Sequence, residues 1–176
     1  CIATALCGGT TSSAAILTVN TVPAVTVHPQ DILLCAGSNY TFSVTATGSG
    51  LSYQWQLSTD GGATYNNIAG ANTASYSLTG ITAGLNGNRY RSIVSGTCAP
   101  AVNSNGAILT VVTSVSVTNQ PANSTVCAGA NTSFTVAGSG SGIIYQWQVN
   151  TGSGFNDISN GGVYSGANAA TLNITG

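Results

Sequence analysis

The side chains able to exchange protons, hold a metal or attack a substrate are few: His28, the carboxylates Asp31, Asp60 and Asp157, five cysteines and seven tyrosines. General acid–base catalysis needs titratable groups within mutual reach. His28 would need a carboxylate to orient it as a base, and Asp31 is its only acidic neighbour in sequence. The simpler reading is a strand histidine ahead of Pro29. Asp60-Gly61-Gly62 is at most a fragment of a calcium loop, since calcium requires several clustered oxygens. It reads better as a hairpin turn in which glycine supplies positive φ, and Asp157 reads as a turn cap. No cysteine pair has C-x-x-C spacing and no histidine accompanies the cysteines, so a zinc ligand set is absent. No catalytic residue, metal site or cofactor is expected.

Composition narrows the partners. Charged residues are 3% of the chain, against about 25% in ordinary globular domains, and Lys, Glu and Met are absent. Arg89 and Arg91 cannot form the basic stripe that a phosphate backbone requires, so no nucleic-acid partner is expected. No apolar run approaches the roughly 20 residues of a membrane span. Amphipathic interfacial helices need basic faces and helical periodicity, and both are missing. We therefore expect no direct membrane insertion of this segment and a surface of Ser, Thr, Asn, Gln and Gly.

The elements that position these groups come in repeats. The tetrapeptide Tyr-Gln-Trp-Gln occurs at 53–56 and at 145–148 and holds both tryptophans. Trp55 and Trp147 are 92 positions apart, as are Pro29 and Pro121, Cys35 and Cys127, Gly37 and Gly129, and Phe42 and Phe134. A pentapeptide, Ala-Ile-Leu-Thr-Val, recurs at 15–19 and 107–111, and Cys7 lies 91 positions before Cys98. Self-similarity at a fixed period marks a repeat architecture. The expected organisation is the tail of one repeat over 1–20, a complete repeat over 21–112 and the head of a third over 113–176.

Within the complete copy, Tyr-Thr-Phe-Ser-Val, Leu-Ser-Tyr-Gln-Trp-Gln-Leu, Tyr-Arg-Ser-Ile-Val and Ala-Ile-Leu-Thr-Val-Val alternate polar with apolar residues or are rich in β-branched and aromatic types. That pattern predicts strands. Gly-, Asn- and Asp-rich turns separate them at about ten-residue spacing, which suggests an all-β sandwich. The order of apolar strand, Tyr-Gln-Trp-Gln and Asn-Arg-Tyr-Arg-Ser resembles an immunoglobulin-like sandwich with a strand C tryptophan and a strand F tyrosine. The resemblance implies a core of Trp55, Phe42 and Tyr90, with Trp147 and Phe134 in equivalent buried positions of the third copy. One departure is clear: Ser92 stands two residues after Tyr90 where an antibody domain has cysteine, and strand B carries Phe42 and Val44. The usual inter-sheet disulfide is excluded.

Cys35 before strand B and Cys98 after strand F remain. Paired, they would close a loop of about 60 residues and stabilise by about 4 kcal/mol in the chain-entropy model; unpaired, they are free thiols. Their recurrence in both partial copies favours pairing, and pairing implies an oxidising, extracellular setting. Cys1 aligns with Ser92 and is expected as a buried free thiol on strand F, the alternative being a lipid-modified mature N-terminus.

The combination of P-x(5)-C-x-G-x(4)-F-x-V-x-A-x-G over Pro29–Gly48, Tyr-Gln-Trp-Gln, Tyr90-Arg91, Cys98 and Ala-Ile-Leu-Thr-Val resembles the tandem immunoglobulin-like repeats of very large secreted surface proteins of Bacteroidota, including gliding-motility adhesins and filament proteins. The resemblance implies a non-catalytic structural and adhesive module of a long extracellular rod or filament at the cell surface. Its implied partners are neighbouring repeats or copies of the same protein, with a surface glycan or protein as target. The alternative is a carbohydrate-binding accessory module of a secreted enzyme, for which Tyr65 and Tyr164 are the candidate ligand-facing residues. Strand G, Gly-Ala-Ile-Leu-Thr-Val-Val at 106–112, runs almost directly into the next copy, so consecutive repeats are expected to hold a fixed angle. The partial copies are expected to be completed by a neighbouring segment, residues 113–176 of one against 1–20 of another, with Cys127 bonded to Cys7.

Overall fold

The computed structural model describes every residue from Cys1 to Gly176. The first copy contributes one hairpin, β1 (Ile2–Ala5) with β2 (Gly8–Thr11). The complete copy supplies β3 (Ala24–Val27), β4 (Ile32–Cys35), β5 (Tyr40–Ser43), β6 (Thr45–Thr47), β7 (Ser52–Ser58), β8 (Asn66–Asn67), β9 (Ser75–Leu78), β10 (Arg89–Ser95), β11 (Val102–Asn103) and β12 (Ala107–Val112). The third copy adds β13 (Ser116–Asn119), β14 (Thr132–Thr135), β15 (Ala137–Ser139), β16 (Gln148–Asn150), β17 (Phe155–Asp157), β18 (Tyr164–Ser165) and β19 (Thr171–Ile174). The only helical element is a 3-10 turn at Ala83–Leu85. The chain is thus all-β, as its patterning requires.

Two compact units are distinguished: Cys1–Gln30, Thr41–Ser77 and Asn88–Ile108 form one, and Asp31–Tyr40, Leu78–Gly87 and Leu109–Gly176 the other. In the first, β10 pairs antiparallel with β7 over seven positions from Arg89↔Ser58 to Ser95↔Ser52. Alternation along β10 buries Tyr90, Ser92 and Val94 and leaves the intervening residues half-buried, the period-two pattern of a strand with one covered face. Phe42 stacks on Tyr90 with ring centroids 4.9 Å apart and meets Trp55 at 6.3 Å. Tyr76 completes the aromatic group at 6.1 Å from Trp55 and 5.8 Å from Tyr90. Aromatic pairs of this kind add about 0.5–1.5 kcal/mol beyond the area they bury. Burial also pushes the Tyr90 phenol pKa up, against a smaller opposing effect of a hydrogen bond from Asn88.

In the second unit, β4 runs parallel to β12 from Ile32↔Leu109 to Cys35↔Val112. Ile81 and Leu109 are fully buried there, and a separate cluster forms around Ile158, Ala167 and Leu172.

The repeated Tyr-Gln-Trp-Gln is explained by bonds that recur side chain for side chain. Trp55 Nε1 donates to Thr73 O, and Trp147 Nε1 to Ala169 O, both at 2.9 Å. Gln54 Nε2 donates to Ile68 O at 2.8 Å, matched by Gln146 to Ile158 O at 2.9 Å. Gln56 Nε2 reaches Asn67 Oδ1 and Gln148 Nε2 reaches Asp157 Oδ1, both at 2.8 Å. The tryptophan fills the core and ties its indole to the chain beyond the next turn, while the two glutamines fasten strand C to its neighbour. Each polar group that burial removes from water is thereby bonded.

Several sequence expectations need correction. Trp147 and Phe134 are half-buried, unlike Trp55 and Phe42. Their rings still meet at 6.5 Å, but β16 pairs only with β17, so no strand equivalent to β10 lies beside Trp147. All five cysteines are free thiols, so the Cys35–Cys98 bond does not form. Cys35 ends β4 beside Val112 in the second unit, whereas Cys98 follows β10 in the first, so the two thiols are carried by different units. Cys7 and Cys127 are likewise free within one chain. Cys1 is exposed, because the hairpin that follows it has no covering sheet.

Candidate functional site

The face of the β7–β8–β10 sheet carries the group that the sequence did not single out. Arg91 places its guanidinium carbon 3.8 Å from the centroid of the Tyr65 ring and donates from Nε to Gln56 Oε1 at 2.8 Å. Gln56 in turn donates to Asn67. A cation over an aromatic face is worth about 0.5–1 kcal/mol at an exposed site. Tyr65 therefore gives one face of its ring to Arg91. The signal was present in the alternation of Arg89 and Arg91 along β10, but only sheet pairing shows which aromatic lies opposite. Tyr164, the other candidate, packs against the Ile158–Ala167–Leu172 cluster. Phe134, Trp147, Ile158, Tyr164 and Leu172 line an open apolar hollow in the third copy.

The titratable groups are engaged in structure. His28 Nδ1 accepts from the Asn105 N–H at 3.0 Å, and its carbonyl accepts from Gln30 Nε2 at 2.8 Å. Asp60 organises the turn between β7 and β8, where Gly61 and Gly62 have φ of 74° and 97°. Its carboxylate accepts from the Thr64 hydroxyl, from the Thr64 N–H at 2.9 Å and from the Ser58 hydroxyl at 2.7 Å. The Thr64 hydroxyl first, then the Thr64 N–H and the Ser58 hydroxyl, hold the Asp60 carboxyl well below the usual carboxylate range. A depressed folded-state value contributes stability above the ordinary pKa of 3.8 and loses it as pH falls through the folded value. We expect a carbon-detected NMR titration of Asp60 to show it ionised below pH 3.8. In Thr64→Val its titration should move back toward the ordinary range; an unchanged midpoint would refute this account of the turn.

The poles of the repeat carry a second recurrent arrangement. Thr21 N donates to Ser49 Oγ at 3.0 Å and Ser49 N donates to Thr21 O at 3.1 Å. Thr113 N donates to Ser141 Oγ at 3.0 Å and Ser141 N to Thr113 O at 3.2 Å. The first residue of each copy, Thr21 or Thr113, is thus clasped by that copy's own turn between strands B and C in the same way at both places. Gly48 and Gly140 permit this approach: a Cβ at Gly48 would lie 2.9 Å from Pro23 Cα, and one at Gly140 would lie 2.7 Å from Ser114 O.

Residues 24–113, spanning β3 to the residue after β12, match the family described as domain of unknown function DUF8696. The chain belongs to this family. The match starts with β3, three residues after Thr21, and ends at Thr113. Solved structures similar to the chain are immunoglobulin-domain arrays. The I-band fragment I67-I69 from titin is 16% identical with a TM-score of 0.63, over 88% of this chain and 55% of the fragment. Sidekick-1 immunoglobulin domains 1-5 are 15% identical with a TM-score of 0.65, over 90% of this chain and 34% of theirs. The extracellular domains 3-5 of Drosophila OTK are 13% identical with a TM-score of 0.58, over 96% of this chain and 57% of theirs. At these identities the likeness establishes the tandem immunoglobulin-like fold, and the chain spans only part of each array. No curated protein matches the chain. No helix is long and apolar enough to cross a membrane.

Proposed function

We propose that this DUF8696 chain is a non-catalytic structural and adhesive module of a long extracellular rod or filament at the cell surface. Its repeats are residues 21–112 in full, with the end of one copy in 1–20 and the start of another in 113–176. The observation that carries the reading is the direct passage from β12, which ends at Val112, to Thr113, which is already bonded to Ser141 of the third copy, so that no linker separates the two copies. Modules joined this way transmit position and force along an array, which suits a spacer between a cell anchor and a distal contact. The engagement of Asp60 and His28 in turn and strand bonds supports a non-enzymatic role, because neither side chain is poised toward a shared reaction centre. The extracellular domains of OTK among the structural neighbours support the location. Near absence of charge supports lateral packing, since neighbouring rods meet little electrostatic repulsion.

Immunogold labelling of intact producing cells tests the proposal. Label along surface fibres is the expected result; label confined to the cytoplasm would reject it. A glycan array addresses the target. Specific sugar binding abolished by Tyr65→Ala would replace this reading with that of a carbohydrate-binding accessory module.

A further inference from the structure

We propose that consecutive repeats are joined covalently, by disulfide bonds between the turn that ends β4 in one repeat and the loop that follows the β10 position in the next. Cys35 is exposed at the end of β4, level with Val112, and the adjoining Ala36 N–H donates to Val112 O at 2.8 Å. The next residue, Thr113, is the one clasped by Ser141 of the following copy. The turn containing Ser141 is therefore held one residue beyond the ladder position beside Cys35.

The complete copy shows what else that turn holds. Ser49, the counterpart of Ser141, accepts at its carbonyl from Thr97 N at 2.8 Å, and Gly50 leaves room for the Thr97 side chain. Cys98 is the next residue and is half-buried. A cysteine of the Cys98 type thus rides on a loop seated on the turn that clasps the end of the preceding strand G. That preceding end is where a cysteine of the Cys35 type lies. Both types recur in register, as Cys127 and Cys7, which argues for a paired role over four independent thiols. On this register the partners of all four lie outside residues 1–176, in keeping with their being free here.

In the bond-forming step each thiol gives up one proton and one electron, the two sulfurs join, and a protein or small-molecule disulfide oxidant is reduced to its dithiol. The need for that oxidant rests on the proposed extracellular location; the pairing itself rests on the register.

The test is peptide mapping of the full-length protein, alkylated and then digested with chymotrypsin without reduction. The expected product joins the Cys35 peptide to the peptide carrying the equivalent of Cys98 from the following repeat. A Cys35–Cys98 product would overturn the proposal, as would a Cys35 thiol that stays alkylatable after incubation with oxidised glutathione. If the isolated protein is reduced but forms the expected link in that buffer, the junction stands and the extracellular location is what fails. A second arrangement attaches a copy of Ile81–Val112 after Gly176, which matches Gly80 because their N–H groups bond to Asn131 and Asn39 alike. With Cys98→Ser in the original position, the attached cysteine should pair with Cys35, and pairing with Cys127 instead would refute the proposal.

Discussion

Replacing Trp55 by Ala should destabilise the complete repeat by about 3 to 5 kcal/mol, the range for truncating a large buried aromatic. Trp55 has no exposed surface, contacts Phe42 and Tyr76, and uses its indole N–H on Thr73 O at 2.9 Å. Removing it opens a cavity between rings that pack on one another and leaves that carbonyl short of a donor. Trp147→Ala removes the same chemistry from a half-buried position, so about 1 to 2 kcal/mol is expected from the smaller area returned to water. Urea unfolding followed by far-ultraviolet circular dichroism measures both. Equal losses would mean that coverage by a β10-type strand does not matter to the tryptophan.

The second large effect concerns the repeated Ala-Ile-Leu-Thr-Val. Leu109→Ala should cost about 2 to 5 kcal/mol, because Leu109 is fully buried in the parallel β4–β12 ladder. Leu17 occupies the same place in an identical pentapeptide but is 87% exposed. Leu17→Ala in this chain should therefore change stability by less than about 0.5 kcal/mol. Hydrogen exchange read at each site separates them: faster exchange across β12 in Leu109→Ala, and no change elsewhere in Leu17→Ala. A cost for Leu17 similar to that for Leu109 would show that residues 15–19 are covered in solution by another strand.

Much of the candidate site was legible in residue types. The hairpin over Asp60-Gly61-Gly62 follows from a short carboxylate that bonds nearby N–H groups and from glycines free to adopt positive φ, both local properties. The first-copy hairpin is a further case. Ile2 pairs with Thr11 as Ile93 pairs with Asn103, and Ser12 N donates to Cys1 O as Ser104 N does to Ser92 O, both at 2.8 Å. The hairpin keeps this pairing although no further strand lies beside it. The Tyr65–Arg91 contact was not legible, because β8 and β10 flank β7 on opposite sides and lie about 25 residues apart in sequence.

The sequence by itself determined the all-β class, the 92-residue register and the positions of the turns, because alternation, β-branching and glycine placement act within a few residues of one another. Tertiary structure alone decided which of these residues are inside and which unit carries each thiol. Trp55 and Trp147, or Leu109 and Leu17, are identical as sequence and differ only in whether a strand distant along the chain covers them. Cys35 and Cys98 look like a pair when written on a line. They separate because Cys35 falls in one compact unit and Cys98 in the other, a division settled by pairing between distant segments and not by the residues beside each cysteine.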